Sequence, residues 1–446
     1  MSPTVEMNFD GIVGPTHNYA GLAVDNVAST ESRSRTSNPR AAALEGIAKM
    51  RTLVDLGVPQ AVLPPHDRPH MPTLRRLGFR GTDAQVVRAA AHSSPRLLAI
   101  CSSASAMWAA NAATVSPSSD TADGRVHLTP ANLVANAHRS IEPDTTHRVL
   151  TKIFGDERHF VVHAPLPSTM AFADEGAANH LRLGPLGSPG VNLMVYGRSN
   201  TSFDDSSVRS RQARAASKAI IRLHGIEGNA LLARQHPAAI SAGAFHNDVV
   251  AVGRGDLLLL HERTFLNQPG VLTALQDALE QRCDTGLRAL VVRDSEVPLS
   301  DAVRAYLFNG QLVGDAAGRM TLVIPAECRE IDSVAAWIAR AEADDTNPIE
   351  RVVVVDVRQS MQNGGGPACL RLLVPLTDEE RPLASVVATN QLLDQIEAWV
   401  VRHHRDRLTP DDLADPCLMD ESRTALDELS SLLELGSVYD FQREGP

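Results

Sequence analysis

The chain has 446 residues, 43% of them hydrophobic, and its formal net charge of −11 comes from 53 acidic and 42 basic residues. A chain of this length can bury a large core. The acidic balance and the lack of a dense Lys/Arg cluster argue against a nucleic-acid partner, and no segment approaches the roughly eighteen consecutive apolar residues of a membrane span.

Short apolar runs alternate with amphipathic segments along the chain. The apolar runs predict strands at residues 61–63, 160–163, 191–196, 248–252, 257–260, 289–292, 320–324, 351–357 and 370–376. The amphipathic segments predict helices at residues 39–56, 211–223, 270–281, 333–343 and 383–407. Asn38 can cap the first of these helices, and Pro39 can occupy its first turn. Strands that alternate with helices indicate an α/β fold with mixed sheets.

The segments between these elements contain no long Pro/Gly/Ser linker. Polar stretches at residues 29–38, 116–123, 184–190 and 199–210 are predicted as loops, and the last is expected to be mobile. A helical region is expected at about residues 408–436. We therefore interpret residues 1–446 as one α/β domain with a helical C-terminal region.

Five cysteines are scattered through the chain without a CxxC pair: Cys101, Cys283, Cys328, Cys369 and Cys417. Such an odd, scattered set argues against a disulfide framework and against a cysteine-based zinc site. The first ten residues have neither the basic nor the apolar region of a secretory signal. The sequence thus predicts a cytoplasmic protein that is neither exported by a standard signal nor inserted in a membrane.

The most informative segment is the glycine run that precedes Cys369. It reads Asn363-Gly-Gly-Gly-Pro-Ala-Cys369 and leads into the apolar run at 370–376. Three glycines lose more conformational entropy on folding than other tripeptides, so such a run is expected where backbone approaches a ligand or adopts a positive φ. Two interpretations stay open: Cys369 is a nucleophile on a mobile loop, or it is a buried structural cysteine at a strand start.

Two further segments have the character of an active site. Glu175 and its neighbour Asp174 place two carboxylates before small residues. His246 and Asp248 lie two positions apart ahead of a predicted strand, where alternate side chains point to the same side. Each residue also has a structural interpretation, as a helix cap, a buried histidine or a turn carboxylate. A thiol, a histidine and a carboxylate together form the general arrangement for nucleophilic catalysis.

Other kinds of site fit the sequence less well. It contains no GxxxxGK[ST], no GxGxxG between a strand and a helix, no HExxH and no GxSxG. His66 and His70 are separated by Arg68 and Pro69, which argues against a shared helical face for a metal ion. We therefore expect neither a metal nor a cofactor.

Six motifs resemble those of the N-succinylarginine dihydrolase family. They read NFDGIVG at 8–14, THNYAGL at 16–22, SASAMWAANAAT at 103–114, DEGAANH at 174–180, FHND at 245–248 and NGGGPACLR at 363–371. The resemblance extends from about residue 8 to the helical region near the C-terminus. It implies the pentein fold of the guanidine-modifying enzymes, a five-bladed α/β propeller of ββαβ-type pseudo-repeats around a central site, and a homodimer.

The resemblance also implies roles for individual residues. Cys369 is the implied nucleophile, His246 the general acid/base and Glu175 their carboxylate partner. The implied substrate contacts are Ala20, Gly21, Leu22, Ala23, Val24, Asp25, Asn26, Val27, Ala28, Ser29, Asn111, His138, Arg139, Arg211, Asp248 and Asn363. Arg209 and Arg214 are near enough in sequence to take the place of Arg211.

These residues suit a substrate that has one guanidinium and two carboxylates. Asp248 and Glu175 can bind a guanidinium, and Arg139 and Arg211 can bind carboxylates, through charge-assisted hydrogen bonds. The implied enzyme hydrolyses C–N bonds of a linear amidine, converting N2-succinyl-L-arginine to N2-succinyl-L-ornithine, two ammonia and carbon dioxide in arginine catabolism by the succinyltransferase pathway. The alternatives are a deiminase or amidinotransferase with the same thiol chemistry, a thiol amidase, and a non-catalytic binding protein for a guanidino acid.

Overall fold

The computed structural model describes residues 4–23, 26–198, 210–314 and 319–443. Within these ranges, fifteen strands form five sheets of three strands each. The strands are β1 (Thr4–Gly11), β2 (Gln60–Leu63), β3 (Ala113–Ser116), β4 (Val126–Pro130), β5 (Phe160–Val162), β6 (His180–Leu183), β7 (Val191–Tyr196), β8 (Ala230–Arg234), β9 (Ala251–Arg254), β10 (Leu257–His261), β11 (Arg288–Val292), β12 (Gln311–Gly314), β13 (Met320–Pro325), β14 (Ile349–Val355) and β15 (Arg371–Thr377).

Fourteen α-helices in the described ranges connect and flank the sheets. They are α1 (Val27–Glu31), α2 (Pro39–Asp55), α3 (Met71–Arg76), α4 (Asp83–Ser93), α5 (Pro95–Cys101), α6 (Pro143–Ile153), α7 (Arg214–Leu223), α8 (Pro237–Ser241), α9 (Gln268–Cys283), α10 (Leu299–Ala305), α11 (Asp332–Ala343), α12 (Arg358–Asn363), α13 (Asn390–His403) and α14 (Pro416–Leu432). None of these helices, which cover only the described part of the chain, is long and apolar enough to cross a membrane.

All five sheets repeat one ββαβ unit. The sheets have the strand orders β15-β1-β2, β3-β4-β5, β6-β7-β8, β9-β10-β11 and β12-β13-β14. In each, the central strand pairs antiparallel with one neighbour and parallel with the other. A helix connects each parallel pair, as parallel pairing requires: α2, α6, α7, α9 and α11. The expected α/β propeller of five pseudo-repeats is confirmed.

The first and last strands close the ring. β15 pairs antiparallel with β1, in a register that runs from Thr4↔Thr377 to Asp10↔Arg371, so the C-terminal strand completes the N-terminal sheet. One antiparallel edge strand of each sheet lies towards the centre, since β15 contacts β3 and β9 contacts both β6 and β12. The loops that lead into these inner strands therefore meet at one end of the propeller axis.

Helix α2 illustrates how local sequence positions a blade. The Asn38 side chain accepts a hydrogen bond from Ala41 N at 2.9 Å, and Pro39 occupies the first turn, where no backbone donor is required. Ile47 and Met50 lie on the buried face of the helix and belong to the largest apolar cluster. The cap and the apolar face together confirm the predicted start of this helix.

The nine predicted strands all correspond to observed strands, with differences at their ends. The largest difference is at 248–252, where the strand begins only at Ala251 because Asn247–Val249 form a 3₁₀ turn. The sequence does not predict β1, β3, β4, β6, β8 and β12. Most of these strands are short and place polar side chains among apolar ones, so they contain no apolar run to identify them.

The five predicted helices are present. The starts of α9 and α11 lie within two residues of the prediction, and the structure corrects two other starts by more than that. α7 begins at Arg214 rather than 211. α13 begins at Asn390 rather than 383, after Thr389, whose side chain accepts from Leu392 N at 3.1 Å. Residues 29–31, expected in a loop, belong to α1. Of the loop expected at 199–210, only Ser210 lies within the described residues, and the interpretation of 1–446 as one domain stays a prediction.

Candidate active site

Cys369 lies in the loop between α12 and β15, and the three glycines of that loop are buried. Gly364 ends α12 with a φ of 98°, in the left-handed region that favours glycine. A side chain at Gly364 would collide with the Asn26 amide, and one at Gly365 would collide with the Trp108 indole. The glycine run therefore allows close packing around Cys369, and the positive φ expected within it is confirmed at Gly364.

Hydrogen bonds hold this loop from two sides. The Gly364 carbonyl oxygen accepts from Asn26 Nδ2 at 2.8 Å and from the Tyr306 hydroxyl at 2.8 Å. On the other side, Asn309 Oδ1 accepts from Cys369 N at 3.2 Å. The backbone of the candidate nucleophile is thus positioned by residues from two other segments of the chain.

Glu175 is the centre of a buried charged cluster. Its Oε2 accepts hydrogen bonds from His246 Nε2 and from Arg139 Nη1, both at 2.8 Å. Arg211 Nη1 lies 4.0 Å from the same oxygen. All four side chains are buried. His246 and Glu175, the two residues that the sequence analysis pairs, are therefore in direct contact.

Asp248 connects this cluster to the thiol. Its Oδ2 lies 3.9 Å from the Cys369 sulfur. Burial is the largest influence on the pKa of Cys369, His246 and Asp248, and the positive charge of Arg139 lowers the pKa of all three. The charge of one guanidinium therefore acts on the thiol, the imidazole and the carboxylate.

Burial and the neighbouring charges set the ionisation of Glu175 and His246. Burial raises the pKa of Glu175, but Arg139, His246 and Arg211 outweigh it and hold that pKa at about 2. Burial lowers the pKa of His246 to about 4 in spite of its bond to Glu175. Near neutral pH, Glu175 is therefore a carboxylate and His246 a neutral imidazole. Because Nε2 donates to the carboxylate, Nδ1 is the nitrogen that can accept a proton.

The pKa values of the thiol and of its nearest carboxylate are raised, whereas those of Glu175 and His246 are lowered. Burial, followed by the charge of Asp248, raises the pKa of Cys369 well above that of an ordinary cysteine. Burial also raises the pKa of Asp248, to about 7. Without a ligand, Cys369 is therefore protonated at neutral pH.

A small cavity of about 20 Å³ collects many of the predicted substrate contacts. They are Ala20, Gly21, Leu22, Ala23, Ser29, His138 and Asn363. Asn18, Ser103, Ala104, Ser105 and Trp108 complete its lining. Val24 and Asp25 lie outside the described residues, whereas Val27 is exposed and Ala28 half-buried on α1, outside the lining of this cavity.

Two residues that are predicted to contact the substrate, Asn111 and Asn26, form hydrogen bonds to other protein groups in this structure. Asn111 donates from Nδ2 to the carbonyl oxygen of Glu175 at 2.6 Å. Asn26 caps α1 by accepting from Ser29 N at 3.1 Å and donates to the loop of Cys369, as described above. In this structure both asparagines therefore position the site through its backbone.

The structure distinguishes between Arg211 and Arg214, two of the three arginines that the sequence left open. The Arg211 guanidinium lies 4.1 Å from the centroid of the Phe245 ring and beside the buried carboxylate. The Arg214 guanidinium lies 5.7 Å from the Tyr196 ring, and the residue is exposed. Arg209 lies outside the described residues. Arg211 is accordingly the one that the fold brings to the cluster.

Each blade contributes one polar residue shortly ahead of its inner strand. These residues are Asn111, Glu175, His246, Asn309 and Cys369. Asn309 is absent from the predicted site because Asn-Gly ahead of a strand is typical of a turn, so its local sequence contains no sign of function. The pseudo-repeat of the propeller would have indicated it, since Asn309 lies two residues ahead of its inner strand, as Asn111 and Cys369 do.

Gln212 is a second residue that the sequence analysis missed. Its Oε1 accepts from Glu175 N at 2.8 Å, and its Nε2 donates to Asp174 Oδ1 at 3.0 Å. Burial raises the pKa of Asp174 to about 6 although Gln212 binds it. Gln212 thus fixes the backbone of both acidic residues, and nothing in its local sequence indicates this role.

We expect Arg139→Met to lower the free energy of unfolding by about 3 kcal/mol, because removing one partner of a buried ion pair leaves the other charge uncompensated. Urea unfolding measures the loss. The matched control is Arg158→Met, which breaks the Arg158–Asp156 pair at 2.7 Å, where the arginine side chain is 83% exposed. That control should leave stability close to that of the parent, because a solvent-exposed ion pair contributes little. Equal losses in the two variants would contradict the prediction.

The remaining potential ligands are dispersed. In the described ranges, no group of three or more His, Cys, Asp or Glu side chains is arranged to hold a metal ion. All five cysteines are unpaired, and Cys101, Cys328 and Cys369 are buried.

Comparison with known proteins gives consistent matches over nearly the whole chain. The family model for succinylarginine dihydrolase matches residues 3–442. The N-succinylarginine dihydrolases of Marinobacter nauticus and Burkholderia orbicola are 54% and 52% identical, each covering 98% of this chain and 99% of that protein. Among solved structures, the product-bound N-terminal domain of ArgZ, an arginine dihydrolase from the ornithine-ammonia cycle in cyanobacteria, aligns with a TM-score of 0.50. It is 13% identical over 83% of this chain and 97% of that chain, a likeness that bears on the fold alone.

Proposed function

Since the chain belongs to the succinylarginine dihydrolase family, we propose that it hydrolyses N2-succinyl-L-arginine to N2-succinyl-L-ornithine, two molecules of ammonia and carbon dioxide. The observation that carries the proposal is the cluster in which Asp248 lies 3.9 Å from the Cys369 sulfur while Glu175 binds His246 at 2.8 Å. The reaction breaks C–N bonds of a linear amidine, as a step of arginine catabolism by the succinyltransferase pathway.

The first hydrolysis replaces one guanidinium nitrogen by oxygen. His246 takes the thiol proton, and the Cys369 thiolate attacks the guanidinium carbon to form a C–S bond. One C–N bond then breaks, and His246 returns the proton so that the nitrogen leaves as ammonia. Water, deprotonated by His246, attacks the amidino-thioether carbon and the C–S bond breaks. One guanidinium and one water thus give one ureido compound and one ammonium.

The second hydrolysis removes the remaining terminal nitrogen. Cys369 attacks the ureido carbon, and a second ammonia leaves with a proton from His246. Water then breaks the C–S bond of the carbamoyl adduct, and the resulting carbamic acid separates into carbon dioxide and the side-chain amine. One ureido compound and one water give one amine, one ammonia and one carbon dioxide.

The bound guanidinium activates the thiol that attacks it. In the unliganded protein, burial and Asp248 raise the pKa of Cys369, and His246 is neutral, so no imidazolium favours the thiolate. A guanidinium beside Asp248 neutralises that carboxylate and brings a positive charge next to the sulfur. Both changes lower the thiol pKa.

Two regions of the site receive the two ends of the substrate. Asp248 binds the guanidinium, since its Oδ1 is buried and has no hydrogen-bond partner among the described residues. The cavity with His138 and Asn363 receives the carboxylate end. Arg139 binds Glu175 through Nη1, while its Nε and Nη2 are buried without a partner in the described part of the chain and can donate to a carboxylate.

Counting products tests this function directly. After incubation with N2-succinyl-L-arginine, we expect two ammonia for each succinylornithine formed. One ammonia with an accumulating ureido product would indicate a deiminase, and transfer of the amidino group to an added amine would indicate an amidinotransferase. Binding measured by calorimetry without any product would indicate a binding protein.

We expect Asp248→Asn to make the unliganded thiol more reactive and the enzyme less active. After burial, the charge of Asp248 is the main influence that raises the pKa of Cys369, so removing it favours the thiolate. Because the pKa of Asp248 is about 7, its charge is present above that pH, and the effect of the substitution should appear there. Iodoacetamide should alkylate Cys369 about tenfold faster at about pH 8.5, and kcat/KM should fall about a hundredfold.

The exposed Cys417 provides the control for this experiment within the same sample. Its alkylation rate, followed by peptide mass spectrometry, should not differ between the parent and the variant. Slower alkylation of Cys369 in Asp248→Asn would contradict the proposed influence of the carboxylate.

We further propose that the protein is a cytoplasmic homodimer that acts on its small-molecule substrate without a cofactor, a nucleic acid or a membrane. The unpaired state of all five cysteines supports a reducing compartment. The dimer rests on the family resemblance, and light scattering coupled to size exclusion measures it.

A further inference from the structure

The propeller encloses an axial cavity of about 100 Å³ that reaches the active site. Asp248 and Ala368 line it at the end where loops enter the inner strands. Gly253 and Leu373 line it from within β9 and β15. The cavity therefore extends from the carboxylate beside the Cys369 sulfur into the centre of the propeller, and it has room for several water molecules.

Small residues from all five blades surround this cavity. They are Ala110, Ala178, Ala251, Gly310 and Ala368, each at or shortly before the start of an inner strand. Larger side chains at the four alanines would fill the centre of the ring, as they do in a packed barrel. At Gly310 an added Cβ would instead meet the Val323 carbonyl oxygen of β13 at 2.6 Å. The open axis is thus a feature to which every blade contributes.

A second cavity, of about 410 Å³, lies beside the first. The two share four lining residues, Glu6, Gly253, Arg371 and Leu373, so one wall belongs to both. The second cavity is also lined by Val5, which is 40% exposed. Neither shares a residue with the cavity that holds His138 and Asn363. The four shared residues therefore lie between the cavity at Asp248 and a cavity that opens near the surface, away from the side that receives the substrate carboxylates.

We propose that these two cavities form an axial passage through which water enters the active site and ammonia and carbon dioxide leave it. This inference rests on the proposed function, because that reaction consumes two waters and releases three small molecules in each cycle. The passage takes small neutral molecules. Arg371 lies at the junction, where its Nε is buried with no partner in the described part of the chain, and its charge opposes an ammonium ion. Glu6, the nearby carboxylate, is neutralised by Arg254 at 2.5 Å.

A separate passage solves a problem that a double hydrolysis creates. The ureido intermediate must stay beside Cys369 while the first ammonia leaves and the next water arrives. If water, ammonia and carbon dioxide all passed through the side that binds the substrate, that side would have to open to release ammonia. The ureido intermediate could then escape. With the axial passage, the carboxylate end of the intermediate stays bound during both rounds.

Blocking the shared wall tests the passage. Leu373→Trp fills the junction, and Leu373→Ala, at the same position in β15, leaves it open. In Leu373→Trp we expect the fraction of turnovers that release the free ureido compound to rise about tenfold, with KM for succinylarginine within about twofold of the parent value. In Leu373→Ala the fraction should equal that of the parent. Chromatographic quantification of ureido compound, succinylornithine and ammonia provides the readout.

Three outcomes would overturn the passage. They are an unchanged product ratio and rate in a folded Leu373→Trp protein, an equal rise in the tryptophan and alanine variants, and a rise caused only by a higher KM. Should Leu373→Trp fail to fold, Val313→Trp narrows the outer cavity alone and is judged by the same criteria. Failure of the parent protein to form succinylornithine would instead refute the proposed function, so the two failures are distinguishable.

Discussion

Cys369→Ala is expected to abolish the formation of succinylornithine while the protein still binds succinylarginine. Without the sulfur no covalent adduct can form, and we expect kcat to fall by at least about 10⁴-fold. The loop should keep its shape, because Asn309 holds it through the backbone N–H of residue 369, which alanine retains. Calorimetry with succinylarginine and an ammonia assay measure the two effects separately.

The matched control for this variant is Cys328→Ala. Cys328 is also buried, and its thiol donates to the Ala305 carbonyl oxygen at 3.2 Å, away from the cluster around Glu175. We expect this substitution to lower the free energy of unfolding and to leave kcat close to that of the parent. Appreciable residual turnover in Cys369→Ala would rule out the covalent mechanism, and loss of binding in that variant would show that the thiol has a larger part in recognition than in attack.

His246→Ala is expected to slow the breakdown of the covalent adduct more than its formation. Loss of a general acid/base costs about 10³-fold in kcat, and the water that releases the adduct depends on this base most directly. The cluster should survive the substitution, since Arg139 still binds Glu175 at 2.8 Å. Under single-turnover conditions, intact-protein mass spectrometry should show an amidino adduct on Cys369 that is absent from the parent.

His403→Ala is the control, because His403 also binds a carboxylate, Glu428, at 2.8 Å, in the C-terminal helices. It should retain the parent kcat and show no adduct. If no adduct accumulates in His246→Ala while turnover is lost, the role in breakdown is wrong.

The pH dependence of stability gives a second readout for His246. Its pKa is about 4 in the folded protein against an ordinary value of 6.5, so the unfolded chain binds more protons between these values. The parent therefore loses stability as pH falls through this window, by about 1.4 kcal/mol per pH unit from this residue. His246→Ala should lack that contribution. As the pH falls from 6.5 to 4, the free energy of unfolding should therefore fall more in the parent than in the variant.

Much of the site was accessible from short motifs, whereas the residues that position it were not. Cys369, Glu175 and His246 lie in segments whose composition is unusual even in isolation. Asn309 and Gln212 position the site through contacts with Cys369 and Glu175, which are 60 and 37 positions away. No local pattern encodes such contacts, because they arise when separate blades bring their inner loops together.

Elements whose causes are local could be predicted from the sequence. Asn38 and Pro39 start α2 through a hydrogen bond and a fixed φ within one turn, and the apolar run of β7 needs only its own side chains. The charge states, with Cys369 protonated and His246 neutral, could not be predicted in this way. A pKa depends on burial and on charges contributed from across the ring, and these exist only when β15 has closed the propeller on β1.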